Sequence, residues 1–156
     1  MIKQAKRAVT GLAVLAVAAL SGCAVGLGSN SASLAGDFDA PVAYRQAYQS
    51  AVDQAKLCLL GSGAYHVEGG IDAAANKGVM RVVANLVESR EMARVEVSPV
   101  GANRTRVHVQ MWGRSLWDAK AMVAMHDAVY FSSPSCTAYI PPQDGADPAA
   151  WFHVKQ

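Results

Sequence analysis

Charge of one sign is missing from this 156-residue chain: 14 Lys and Arg stand against 12 Asp and Glu, a formal net charge of +2. Without a basic field, nucleic acid is not an expected partner. Long apolar runs are missing too. The most apolar stretch, residues 8–20, spans 13 positions, short of the ~20 that a membrane-spanning helix needs. Cysteine is limited to 3, and their spacing matches neither CxxC nor a zinc framework, which speaks against redox catalysis and structural zinc. No GxSxG, Walker loop, dinucleotide fingerprint or HExxH occurs, so no cofactor is expected and no standard catalytic motif is present. What is abundant is apolar: 52% of residues are hydrophobic, enough for a packed core and too many for a disordered chain. The length suits one domain.

The first residues read as an address. Lys3, Lys6 and Arg7 make a basic start, an apolar run follows, and small residues close it at Ser21-Gly22. That order is the layout of a secretory signal peptide. Its closing residues Leu20-Ser21-Gly22-Cys23 resemble the lipobox of bacterial lipoproteins. The resemblance implies a signal over residues 1–22, a diacylglyceryl group on Cys23, cleavage before it and further acylation of the new amino terminus. Ala24 rather than Asp follows Cys23, which by that family's sorting rule implies the outer membrane, with the domain facing the periplasm. More than one acyl chain gives firm anchoring, at ~0.8 kcal/mol per buried methylene. The alternative is an ordinary cleaved signal with a free cysteine nearby.

Losing residues 1–22 removes three basic residues and no acidic ones, so the balance becomes 11 minus 12, or −1. Residues 26–37, GLGSNSASLAGD, are small and polar without a period, and the expectation is a flexible tether over residues 23–38. With Cys23 lipidated, Cys58 and Cys136 remain, and in an oxidising periplasm they are expected to be bridged. Two separately buried thiols are the alternative.

The single domain is expected over residues 39–156. Tyr44, Ala47, Tyr48, Ala51, Val52, Ala55, Cys58 and Leu59 recur at steps of three and four, a helix whose polar face holds Ser50 and Gln54. Asp39 is expected to cap it and Gly61 to end it. Four strands are expected at residues 64–68, 79–87, 92–98 and 104–112 from alternation and turn residues, the last three as an antiparallel meander. A second helix is expected from Ser115, with Asp118 in a capping-box-like position and Ala119, Met122, Val123, His126 and Tyr130 on its inner face. Residues 132–156 are rich in proline and are expected to be irregular, pinned back by Trp151 and Phe152. The expected fold class is therefore α+β: helix, four-stranded antiparallel sheet, helix, irregular tail. In element order alone it is similar to the small helix-grip domains of outer-membrane lipoproteins, including those of barrel-assembly machinery, a likeness that transfers no function.

Chemistry is thin. His66, His108, His126 and His153 sit on separate elements. His126 and Asp127 are adjacent, but consecutive helix positions diverge by about 100°, so they are not expected to pair. His66 and Glu68 share a strand face, too few for a metal site. Ser132, Ser133 and Ser135 flank Pro134 as turn residues. No catalytic, cofactor-binding or metal-binding residue is assigned, and an enzyme is not expected. The wet sheet face would carry Arg94, Glu96, Arg104, Arg106, His108 and Gln110, either as a solvated ladder or as a positively biased docking surface for an anionic partner. The leading expectation is a membrane-tethered, non-enzymatic domain that binds another envelope protein. The alternative is a carrier holding a lipid or another small apolar ligand between sheet and helices.

Overall fold

Strand β1, Ser33–Ala40, runs straight into the first helix, α1, Tyr44–Cys58. Four antiparallel strands follow: β2 Tyr65–Asp72, β3 Lys77–Ala84, β4 Glu91–Gly101 and β5 Arg104–Met111. A single 3-10 turn, Ser115–Trp117, leads into α2, Ala119–Tyr130, and the chain returns as β6, Phe152–Lys155. The structure, a computed structural model, describes residues 25–28, 31–86, 88–137 and 145–155. Cys23 and the rest of the signal and lipobox lie outside the described residues, as do Val87 and the prolines Pro141 and Pro142.

The six strands form one antiparallel sheet in the order β2-β3-β4-β5-β1-β6. The α+β class agrees with the expectation, but the sheet has six strands, not four. One of the two extra strands, β1, occupies residues assigned to the tether. The other, β6, arises in the tail expected to be irregular. β1, SLAGDFDA, is a weak strand former by composition and β6 is only four residues long, so tertiary pairing rather than propensity makes both strands. β1 is hydrogen-bonded on both sides, from Leu34 opposite Met111 to Ala40 opposite Thr105, and from Ser33 opposite Lys155 to Gly36 opposite Phe152.

Helix α1 carries the chain from β1 across the sheet to the far edge, where β2 begins, and the meander then returns to β1. Its stripe packs as the periodicity predicts: Ala47, Ala51 and Ala55 are fully buried, and such small side chains let the helix approach the sheet closely. Two details differ. Asp39 lies in β1 rather than at the helix start, and the N-cap is Ala43 without a side-chain cap. Ser50 and Gln54, expected on the wet face, are both buried, Gln54 to 1% exposure.

Helix α2 starts later than expected, because Ser115–Trp117 forms the 3-10 turn. Asp118 is the cap, its carboxylate accepting from Lys120 N at 2.9 Å and Ala121 N at 3.0 Å. α2 lies against both α1 and β1, so its covered face is broad: Met122, Ala124, Met125, Ala128 and Val129 are buried. Ala119 is exposed and Val123, His126 and Tyr130 only half-buried, a correction to the expected inner face. The core between this helix layer and the sheet is filled by Met80, Val82, Val95, Val97, Val107, Val109, Met111, Met122, Met125 and Trp117.

The meander is longer than its alternation suggests. β2 and β3 take in Gly69–Asp72 and Lys77–Gly78, leaving a turn of four residues closed by Asp72, whose carboxylate accepts from Ala74 N and Ala75 N. β4 continues through Pro99 to Gly101, with a register shift at that point, the kind of irregularity at which a strand tolerates proline.

Candidate functional site

The sheet face opposite the helices carries most of the polar side chains that could meet a partner. Register sets which ones stand together: Glu68, Arg81, Arg94 and Gln110 form one row, Glu96, His108 and Asp37 another, and Arg106 and Asp39 a third. The acids of β1 change the electrostatics expected of this face. Asp39 pairs with Arg104 at 2.5 Å and also with Arg106, and Asp37 with His108 at 3.0 Å. Glu96 pairs with Lys77 at 2.5 Å and Arg94 at 3.5 Å, rather than with Arg104 or Arg106. Counted by register, Lys77, Arg81, Arg94, Arg104, Arg106 and Lys155 face Asp37, Asp39, Glu68, Asp72, Glu91 and Glu96, six against six. The expected positive bias is cancelled, because β1 brings Asp37 and Asp39 onto this face.

The pairs hold these groups in their charged forms. The Arg106 and Arg104 guanidinium groups keep the Asp39 carboxyl below the usual carboxylate range, and Lys77 does the same for Glu96, with Arg94 assisting. Arg94 itself is gripped by both oxygens of Glu91, at 2.5 and 2.8 Å, which raises its pKa further. Lys77, Arg81, Arg94, Arg104 and Arg106 are thus each engaged by an acid, which makes a charged lattice across this face.

The histidines remain dispersed. His66 bridges Asn85 and Glu68, the latter at 2.9 Å, and both contacts raise its pKa above the ordinary value, Glu68 most. His126 does contact Asp127, Nδ1 to Oδ1 at 3.0 Å. That corrects the expectation from helix geometry, because the two side chains lean toward each other although their Cα–Cβ vectors diverge. The His126 ring also packs on Phe38, Tyr130 and Trp151, with centroids at 4.4, 5.4 and 5.5 Å. This is an aromatic seam under β1 that half-buries the imidazole. His153 is exposed on β6. Among the described residues no three His, Cys, Asp or Glu side chains gather as a metal ion would require.

Cys58 and Cys136 form a disulfide with Cα atoms 5.3 Å apart, joining the end of α1 to the strand of chain after α2. Gln54, one helical turn before Cys58, accounts for its own burial here: its amide donates to Ser135 O at 3.0 Å and accepts from Ser135 N at 2.8 Å. Gln46 reaches Ser132 Oγ at 2.8 Å, so the serines around Pro134 are tied as turn residues. Nothing in the helical period distinguishes Gln54 from its exposed neighbours. The signal that could have found it is its i, i+4 position before a cysteine expected to be bridged.

At the end of the sheet where β4 begins, residues 25–28 and Ser31 are docked rather than free. Leu27 N donates to Glu91 O at 2.6 Å, Arg90 reaches Val25 O at 3.4 Å, and Ser31 Oγ donates to Gly26 O at 2.7 Å. Gly26 has φ +88°, and a Cβ there would lie 2.7 Å from Glu91 O, so glycine is required. Beside this segment runs an open groove of about 370 Å³ lined by Ser31, Ser33, Glu91, Arg94, Gln110 and Lys155. Its polar atoms largely satisfy one another, as with Gln110 and Ser33 at 3.0 Å. A smaller groove of about 270 Å³ lies at the disulfide corner, between Gln54, Leu59, Leu116 and Ala121. Compared with protein-family models, curated proteins and solved structures, the chain has no significant match.

Proposed function

We propose that this chain is a bacterial lipoprotein, cleaved after Gly22, acylated on Cys23 and held at the outer membrane facing the periplasm. Its folded part serves as a non-enzymatic module that binds another envelope component. The observation that carries the reading is Leu20-Ser21-Gly22-Cys23 closing a basic and then apolar stretch. The Cys58–Cys136 pair supports an oxidising compartment. The charge lattice on the open sheet face supports a contact surface rather than a reaction centre, since its acids and bases engage each other.

Labelled palmitate tests the anchor: it is incorporated into the wild-type chain and not into Cys23→Ser, which accumulates as precursor. Label on the variant overturns the lipobox assignment. Crosslinking in intact cells followed by affinity capture tests the second half of the reading. A specific adduct with one envelope component is the expected result, and its absence across growth conditions defeats the binding role. Extraction of the purified protein separates this from a carrier: stoichiometric lipid beyond the covalent chains would establish the carrier instead.

A further inference from the structure

The docked segment at the start of the described chain has a geometric implication for the anchor. A free tether of a dozen residues would let the domain wander about 20 Å from its attachment point. Here the chain is held from Val25 onward by hydrogen bonds to Arg90 and Glu91, and Gly26 is buried against Met92. Cys23 is two residues before Val25, a span of at most about 7 Å. If Cys23 carries the lipid, one end of the sheet is kept at the bilayer surface and the domain has one preferred orientation.

Of the seven large apolar side chains exposed among the described residues, Val25, Leu86 and Leu116 lie at that end. Its rim is continuous. Val25 is held by Arg90, and Ala84 N and Arg90 O close the β3–β4 loop at 2.8 Å. Within that loop Asn85 is bonded to Gly63 O and Ala64 O, and Leu116 lies against Gly61. On this rim Leu86 is 63% exposed, Leu116 41% and Val25 38%. Arg114, beside Leu116, is exposed as well. Exposed leucines with an arginine two residues from one of them suit the interfacial zone of a bilayer, where apolar tips enter the acyl boundary and the guanidinium stays among headgroups. Val100, near the end of β4 at the opposite end of the sheet, has comparable exposure, 51%, and offers an internal control.

We infer that the rim formed by Val25, Leu86 and Leu116 is a seat on the lipid bilayer that carries the Cys23 anchor. The inference rests on the lipoprotein reading above. It adds that the domain stands on the membrane by this end, with the open sheet face directed sideways along the surface rather than toward it.

The test uses the full chain, processed in bacteria, purified and reconstituted into vesicles of phosphatidylethanolamine and phosphatidylglycerol. The photoreactive residue p-benzoylphenylalanine replaces Leu86, Leu116 or Val100, and adducts are identified by mass spectrometry together with the N-terminal peptide. The expected result is acylated Cys23, lipid adducts at 86 and 116, and none at 100. Acylated Cys23 without lipid adducts at 86 and 116, or with equal adducts at 100, overturns the seat and leaves the anchor intact. An unmodified Cys23 overturns the anchor and the seat with it. Crosslinked dimers at 86 or 116 show that a second copy covers the rim and also overturn the seat. In Gly26→Val, which cannot keep the docked segment, the adducts at 86 and 116 are lost while acylation persists. Adducts retained in that variant refute the orienting role of the docked segment.

Discussion

Gln54 shows how one side chain can link two parts of a fold that helical periodicity treats separately. It is 1% exposed and closes a two-hydrogen-bond clamp on Ser135, next to the bridged Cys136. Gln54→Leu is predicted to leave the backbone N–H and C=O of Ser135 without these bonds at a cost of about 1–3 kcal/mol, read from urea unfolding with the disulfide intact. A midpoint equal to wild type would mean that water replaces the amide without loss. His66 offers a pH-dependent counterpart. Its folded pKa is raised by Glu68 and Asn85, so the stabilisation it gives is complete below the ordinary histidine value and fades as pH rises through the raised one. An NMR titration of the imidazole is expected to show a midpoint above the ordinary value, and Glu68→Gln to bring it back down. An unchanged midpoint in that variant would assign the shift to Asn85 alone. At this scale the sequence was informative about chemistry type and poor at pairing. His126 with Asp127 and Asp39 with Arg104 and Arg106 depend on side-chain reach and on a strand that the composition hid.

Among the elements, those with strong periodicity were legible: α1, the meander β2–β5 and the body of α2 each follow from alternation or a three-four step. β1 and β6 were not. Ser33–Ala40 contains glycine, alanines and two aspartates, a composition that reads as linker until its alternation of Leu34, Gly36, Phe38 and Ala40 is seen against β5. β6 is four residues long, too short for a period to register. Both strands meet at Gly36, where an added Cβ would lie 2.6 Å from Phe152 Cβ and from Trp151 O. Gly36→Val is therefore predicted to expel β6 while the meander persists. Amides of Phe152–Lys155 should lose hydrogen-exchange protection in that variant, and those of β3 and β4 should keep it. Retained protection at Phe152–Lys155 would mean that the backbone shifts to admit the side chain.

For the whole molecule, the Cys58–Cys136 bridge encloses 78 residues of separation, including the entire meander and α2. In the chain-entropy description a loop of that length contributes at most ~4.5 kcal/mol. Cys58→Ser with Cys136→Ser is predicted to lower unfolding stability toward that limit without changing the fold. A loss below about 1 kcal/mol would show that α1, α2 and the Gln54 clamp already restrict the chain as the bond does. The bridge was legible from the cysteine count, because the resemblance of residues 20–23 to a lipobox left Cys58 and Cys136 as the one pair.

The position of β1 also governs the order in which the molecule can be completed. Its neighbours in the sheet are distant in sequence: Ala40 lies opposite Thr105, 65 residues on, and Ser33 opposite Lys155, 122 residues on. Loop closure over such separations is slow compared with hairpin formation. The meander can therefore assemble by local steps while β1 waits for both β5 and β6. During that interval β1 and the aromatic seam beneath it stand open to solvent. A chain released from its amino terminus thus presents this strand early and seats it last, and a chaperone that shields residues 33–40 would act on the slowest-closing part of the fold.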